Sequence, residues 1–348
     1  MRLYNFRNYS EQTLDFTKKI VCLSGANGSG KTNVLEAIYY LCFTKAYRSS
    51  LDKHNMRHGC TEMAIEGWFA ENRIKCIIKQ GVKKEIFIND KAYQKFSAHI
   101  GKFPAVIITP DDIHIINGYS PDRRKYFDLI ISQTNAEYLQ ALIEYKKSLQ
   151  QRNSFLKSSK GVLKDNDLLE IYNDSLVQNG SILFEGRKKF IQEYLPQLKK
   201  HFEQISGHSE EINLEYQSQL SEQSFKDSLN ENLQKDLILQ RTSVGPHKDE
   251  YDFSLKEMSL KQSASQGQRK TFLFALKLAE YDYLLSKLDR SAILLLDDVF
   301  EKLDANRSQR LIDCILSKDT QVFITDTHKE RLKQGLASAK GDTQLIEL

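Results

Sequence analysis

Three short stretches of this 348-residue chain hold residue types that act on phosphate when spaced as they are here. The first, Gly25-Ala26-Asn27-Gly28-Ser29-Gly30-Lys31-Thr32, fits the P-loop pattern G-x-x-x-x-G-K-[ST]. Its glycines allow the backbone to curl closely around an anion, successive N–H groups point inward, and the following helix presents its positive end. All eight residues are therefore expected to bind nucleotide. Lys31 is expected to reach the β- and γ-phosphates and assist catalysis, and the Thr32 hydroxyl to hold Mg2+. The second stretch, Ala292-Ile293-Leu294-Leu295-Leu296-Asp297-Asp298, is an apolar strand ending in two carboxylates. Asp297 is expected to hold Mg2+ at the carboxyl edge of a sheet whose next strand carries the P-loop, and Asp298 to polarise the attacking water. Taken alone, the double aspartate would serve equally to cap a turn or helix; the P-loop upstream favours the metal. The third stretch, Ser265-Gln266-Gly267-Gln268, opens a helix with an N-cap residue and a glycine, a second site for an anion. With a P-loop already present, this second site is expected to serve a nucleotide bound to another copy of the chain.

Those residues need particular elements to hold them. Ile20-Val21-Cys22-Leu23 reads as a buried strand immediately before the P-loop, and Val34, Leu35, Ile38, Leu41 and Cys42 share one helical face after it. Short strands are expected at Leu3–Phe6, Thr13–Phe16, Met63–Phe69, Ile74–Ile78 and Ile86–Ile88. From about Ser120 to Gln240 the chain is rich in Lys, Glu, Gln and Leu at helical spacing, as at Tyr138, Leu142, Tyr145 and Leu149. Three or four helices are expected there, broken near Ser158–Gly161 and Ser206–Ser209. After Pro246 come a strand at Tyr251–Leu255, a helix over Gln266–Ser286, and strands at Ala292–Leu296 and Gln321–Ile324. A helical segment thus interrupts one α/β domain. The expected lobes are residues 1–110 with 245–348 for ATP, and 111–244 for a helical arm.

Composition narrows the class. Charged residues make up 28 % and hydrophobic residues 40 %, with 5 prolines and 16 glycines, which excludes disordered and collagen-like chains. The net charge of +4 hides an uneven distribution: +6 over residues 1–120, +4 over 121–201, −6 over 202–250 and zero over 251–348. The total alone is too weak to imply nucleic acid, but a basic first half and an acidic patch bear on partners more than the sum does. Arg123-Arg124-Lys125, Lys146-Lys147, Arg187-Lys188-Lys189 and Lys199-Lys200 could each be a solvated helix face; the family resemblance given below makes them the first candidates for phosphate contacts. The aromatic residues of the helical segment fall at core spacing. Cys22, Cys42, Cys60, Cys76 and Cys314 form no C-x-x-C pair, which fits a reducing compartment. No signal peptide or membrane-spanning run is visible, so the expected location is the cytoplasm.

The motifs together resemble the ABC-type ATPases, and among them the SMC-related RecF family. The likeness covers essentially the whole chain: Leu3-Tyr4-Asn5-Phe6-Arg7-Asn8-Tyr9, Asn33 to Ile38, Lys45-Ala46-Tyr47-Arg48, Thr109-Pro110-Asp111-Asp112, Ser120-Pro121-Asp122-Arg123-Arg124 and Gly245-Pro246-His247-Lys248-Asp249. It continues through Ala264-Ser265-Gln266-Gly267-Gln268 and Asp297-Asp298-Val299-Phe300-Glu301-Lys302-Leu303-Asp304. The resemblance implies an α/β fold, an ABC-type P-loop ATPase head with an inserted helical arm lobe. It also implies ATP and Mg2+ as cofactors, with two ATP molecules held between two head-to-tail chains. Lys31, Thr32 and Asp297 of one chain would face Ser265, Gly267 and Gln268 of the other.

The implied role is recombinational DNA repair, replication restart and SOS induction on duplex or gapped DNA, with RecR- and RecO-type mediators and a weak, DNA-stimulated ATPase. Departures from the wider pattern are Gln266 in place of a glycine, Glu301 in place of a small residue, and Asp298 in place of a longer glutamate. The γ-phosphate sensor position falls at Asp326 or His328. His247 suits a structural role, and Arg48 is a candidate for the nucleotide's base or phosphates. Two other classes share the ATP site. A transporter subunit would carry Gly-Gly-Gln and a glutamate after the Mg2+ aspartate, and an SMC-like architectural ATPase would carry a far longer insertion.

Overall fold

The computed structural model describes residues 1–49, 51–162, 165–207, 210–299, 304–328 and 336–348. In chain order its elements begin with β1 (Arg2–Phe6), β2 (Tyr9–Thr13), β3 (Ile20–Ser24), α1 (Lys31–Phe43), β4 (Glu62–Phe69), β5 (Asn72–Lys79), β6 (Glu85–Ile88), β7 (Lys91–Ala92) and β8 (Ala105–Ile108). There follow α2 (His114–Asn117), α3 (Ser120–Thr134), α4 (Ala136–Ser159), α5 (Asn166–Ser206), β9 (Ile212–Gln217), α6 (Phe225–Glu231), α7 (Leu233–Leu239), β10 (Glu250–Leu255), β11 (Met258–Ser259) and α8 (Leu260–Ser263). The last are α9 (Gln266–Lys287), β12 (Ile293–Asp297), α10 (Ala305–Leu316), β13 (Val322–Asp326) and β14 (Thr343–Glu347). They divide into two compact units: Met1–Asp112 with His201–His208 and Phe274–Leu348, and Ile113–Lys200 with Ser209–Leu273.

In the first unit a parallel sheet runs in the order β14-β3-β13-β12-β8. Every residue of β3 and β13 is buried, as continuous apolar strands covered on both faces must be. An antiparallel sheet, β2-β1-β4-β5-β6-β7, forms a second layer, and α1 packs against strands of both. Lying between two layers, α1 is buried on all sides from Val34 to Phe43, so its apolar face is wider than the single stripe expected. The strand expected at Thr13–Phe16 lies instead at Tyr9–Thr13. A turn at Arg7, with φ 53°, brings Phe6 opposite Tyr9 and Arg2 opposite Thr13. Phe16 packs edge-on against Phe323, with ring centroids 4.9 Å apart.

The second unit is not purely helical. β9, β10 and β11 form an antiparallel sheet with α3, α4 and most of α5. The ladder from Glu250↔Gln217 to Leu255↔Ile212 ties the segment before Phe274 to this unit, so the return to the first unit comes at Phe274 rather than at residue 245. Phe127, Phe190, Tyr194, Tyr251 and Phe253 form one aromatic cluster, and Tyr138 and Tyr145 are buried as core residues. Arg187, expected at the surface in a basic run, is buried. It pairs with Asp128 at 2.9 Å and Asp249 at 2.7 Å and donates to the Pro246 carbonyl. A sealed guanidinium needs such partners, and sealed it cannot touch DNA. Lys188, Lys189, Lys199 and Lys200 are exposed.

Candidate nucleotide site

The turn between β3 and α1 is shaped by its glycines. Gly25, Gly28 and Gly30 have φ of 157°, 85° and 113°. A Cβ on Gly30 would come within 2.5 Å of the Tyr9 hydroxyl, and one on Gly25 within 2.9 Å of Ser29 Oγ. Side chains are therefore excluded at both positions by space, and at Gly28 and Gly30 also by backbone conformation. Gly30 is the N-cap of α1 and supplies no side-chain cap, which leaves first-turn N–H groups for an anion. Ser29 Oγ and Tyr9 Oη are buried here without a hydrogen-bond partner among the described residues. A helix start without a side-chain cap, two unsatisfied hydroxyls and no room for a Cβ at Gly25 or Gly30 fit a polyphosphate. Lys31 Nζ is folded back on the loop, donating to the carbonyls of Gly25 at 2.8 Å and Ala26 at 3.0 Å.

The sheet register brings the second stretch to the same edge. Asp326 lies opposite Ser24 and Asp297 opposite Thr325. β12 is not next to β3 as expected, because β13 ladders with both and lies between them. Asp297 nonetheless reaches the loop: the Thr32 hydroxyl donates to its Oδ1 at 2.7 Å, and the Thr325 hydroxyl to the same oxygen at 2.9 Å. Thr32 and Asp297 make a hard oxygen pair at the mouth of the phosphate loop, the donor type that suits Mg2+. No group of three or more His, Cys, Asp or Glu able to hold a metal occurs among the described residues. Mg2+ typically needs only one or two carboxylates beside phosphate oxygens and water.

Asp298, the residue after β12, has φ 47°, in the left-handed region that non-glycine residues seldom adopt. Its N–H donates to Thr325 Oγ1 at 3.0 Å, holding the backbone in that turn. Thr325 thus positions both carboxylates, and nothing in the sequence around it signals this. Arg48, flagged for the nucleotide, pairs instead with Asp297 Oδ2 at 2.9 Å and Asp111 Oδ2 at 3.4 Å. Asp326 is buried at the end of β13 and accepts the His328 backbone N–H at 2.7 Å, while the His328 side chain is exposed. Glu301 lies outside the described residues.

The third stretch lies in the second unit and forms its own motif. The Ser265 N–H donates to Gln268 Oε1 at 2.9 Å, and the Gln268 N–H to Ser265 Oγ at 3.2 Å, a reciprocal capping box opening α9. Gln268 Nε2 donates to Glu210, and Ser265 is exposed. In the same unit His247 Nδ1 accepts from the Tyr145 hydroxyl at 2.7 Å, and Nε2 lies 3.1 Å from the Thr242 carbonyl. Burial, offset only in part by the Thr242 bond, lowers its pKa to about 4. A neutral ring locked by two bonds is structural, as expected.

Known proteins resemble this chain over most or all of its length. The family model described as RecF/RecN/SMC N terminal domain matches residues 1–343. A protein named DNA replication and repair protein RecF from Flavobacterium johnsoniae is 43% identical, covering 100% of this chain and 99% of that one. Its namesake from Bacteroides thetaiotaomicron is 37% identical, covering 99% and 95%. A solved structure of the recombination mediator RecF with ATP, in the RecFOR pathway, superposes with a TM-score of 0.87 at 31% identity, covering 94% and 91%. An Smc head bound to the C-winged helix domain of ScpA, at 15% identity and TM-score 0.53, shares the fold. The chain belongs to the RecF family of SMC-related ABC-type ATPases.

Proposed function

We propose that this chain is an ATP-dependent protein of DNA replication and repair in which ATP acts as a clamp between two copies. Residues Gly25 to Thr32 bind the phosphates, Thr32 and Asp297 hold Mg2+, and Asp298 orients the attacking water. Bound there, Mg2+ would neutralise phosphate charge as the terminal bond breaks. Ser265, Gly267 and Gln268 of a second copy complete each site, so ATP contacts made only in the closed dimer drive association. Asp298 is one methylene shorter than glutamate, which suits slow hydrolysis, faster once DNA holds the dimer closed. The exposed lysines after Arg187 meet duplex or gapped DNA through phosphates and without sequence preference. By kinship with the RecFOR mediators, RecR- and RecO-type proteins are the partners, and loading of recombinase at gaps is the outcome.

The observation that carries this reading is the Thr32–Asp297 bond of 2.7 Å across the mouth of the glycine loop. Retention of DNA measured with ATP, without ATP and with Lys31→Ala tests it. Retention that needs both ATP and Lys31 is expected; equal retention in all three contradicts the clamp.

A further inference from the structure

Adjacent residues Tyr47 and Arg48 meet adjacent residues Asp112 and Asp111. Asp112 is fully buried, accepting the Tyr47 hydroxyl and the Thr109 N–H at 2.8 Å and pairing with Lys277 at 3.5 Å. The Arg48 backbone N–H donates to Glu36 Oε1 at 3.2 Å, and Arg7 pairs with that buried carboxylate from the other side at 3.2 Å. The chain at Tyr47 and Arg48 is therefore held in place, while the Arg48 side chain is 38% exposed. It lies between two unlike carboxylates. Asp297 is 2% exposed and Asp111 is 74% exposed.

Asp297 thus has both oxygens engaged: Oδ1 by two threonine hydroxyls and Oδ2 by a cation. A divalent ion held by Thr32 and Asp297 would draw on the charge that Arg48 already neutralises, and two cations on one carboxylate repel each other. We propose that Arg48 is a displaceable counter-ion for Asp297, competing with Mg2+, and that Asp111 is the carboxylate that receives the guanidinium when Mg2+ takes its place. Loading of Mg2+ with nucleotide is then coupled to a shift of Arg48 from one aspartate to the other. The inference rests on the Mg2+ site proposed above.

The two aspartates give the idea opposite signs to test. Binding of a fluorescent ATP analogue is titrated with Mg2+, and Mn2+ binding to the nucleotide-loaded protein is followed by electron paramagnetic resonance. In Arg48→Ala the half-saturating Mg2+ concentration should fall about three- to tenfold, the range for losing one charged hydrogen-bonded competitor at a part-exposed site. In Asp111→Asn it should rise, because the guanidinium loses its alternative partner. An unchanged or higher requirement in Arg48→Ala, or an unchanged or lower one in Asp111→Asn, overturns the proposal. Wild-type protein that binds no analogue, or binds it equally with Lys31→Ala, would sink the nucleotide site itself. Binding that depends on Lys31 while both variants keep the wild-type Mg2+ requirement would sink the counter-ion alone.

Discussion

In the first unit Asp297 meets Arg48 at 2.9 Å with the arginine side chain more than a third exposed. In the second, Asp128 and Asp249 meet Arg187 at 2.9 and 2.7 Å with every partner under a tenth exposed. The chemical groups are the same, and their surroundings separate a site from a strut. Arg187 also bonds the Tyr138 hydroxyl and the Pro246 carbonyl, and Tyr216 donates to Asp249. Burial raises the Asp249 carboxyl above its ordinary range, while Arg187 and the hydroxyls that bond it pull the other way. Around Asp297 the neighbours are two hydroxyls, a glycine loop and an arginine with a second aspartate in reach. A sealed pair resists exchange because either partner left alone is costly; a pair open on one side can trade its cation.

The largest expected effect follows from the sealed pair. Arg187→Met should destabilise the second unit by about 3–5 kcal/mol, read as lost hydrogen-exchange protection across α4 and α5. Arg48→Ala should cost the first unit no more than about 1 kcal/mol, the range of exposed pairs; equal costs would erase the contrast. Asp297→Asn should keep the fold and lower ATP turnover by about a hundredfold, the size expected when one charged group at a reacting centre is lost. Turnover within a factor of two of wild type would remove Asp297 from the site.

A pH series sharpens the comparison further. His247 titrates near 4 when folded and near 6.5 when unfolded, so the unfolded chain binds the extra proton between those values. Stability from this residue is full above about pH 6.5 and is lost as pH falls toward about 4. Between pH 7 and 5 the loss is about 2 kcal/mol. The difference between wild type and His247→Gln isolates it, because Asp249, shifted upward, contributes with the opposite sign in both. Equal pH slopes in the two proteins would contradict the assignment. A small effect on stability belongs to the capping box: Ser265→Ala should weaken the start of α9 by about 1 kcal/mol and yet, under the clamp reading, remove most ATP-dependent dimerisation. Dimerisation that survives the substitution would reduce Ser265 to a cap.

What could be read from the sequence was whatever is written in contiguous residues. The P-loop carries its chemistry in eight consecutive positions, and the flanking apolar runs announce β3 and α1. Asp297 is marked by the five apolar residues before it. Thr325 has no such signature, since only the parallel register between β12 and β13 places it opposite Asp297. The same holds for Arg48, whose type was suggestive but whose partners come from positions 111 and 297. In the arm's sheet β10 is legible as the strand at Tyr251–Leu255, but its partner β9 is hidden, because it shows only Ile212 and Leu214 as inward apolar residues among glutamates. Arg187 misled for a related reason: in the run Arg187-Lys188-Lys189 a buried and two exposed cations look alike until helix α5 turns them to different sides.

The central claim is that nucleotide held by the glycine loop, Thr32 and Asp297 closes two copies into a dimer. Light scattering of the wild type and of Lys31→Ala, each with and without Mg2+ and ATP, addresses it most directly. The mass should double for the wild type with Mg2+ and ATP alone, and the other three samples should be monomeric. A mass that does not respond to ATP, or responds equally in Lys31→Ala, would contradict it.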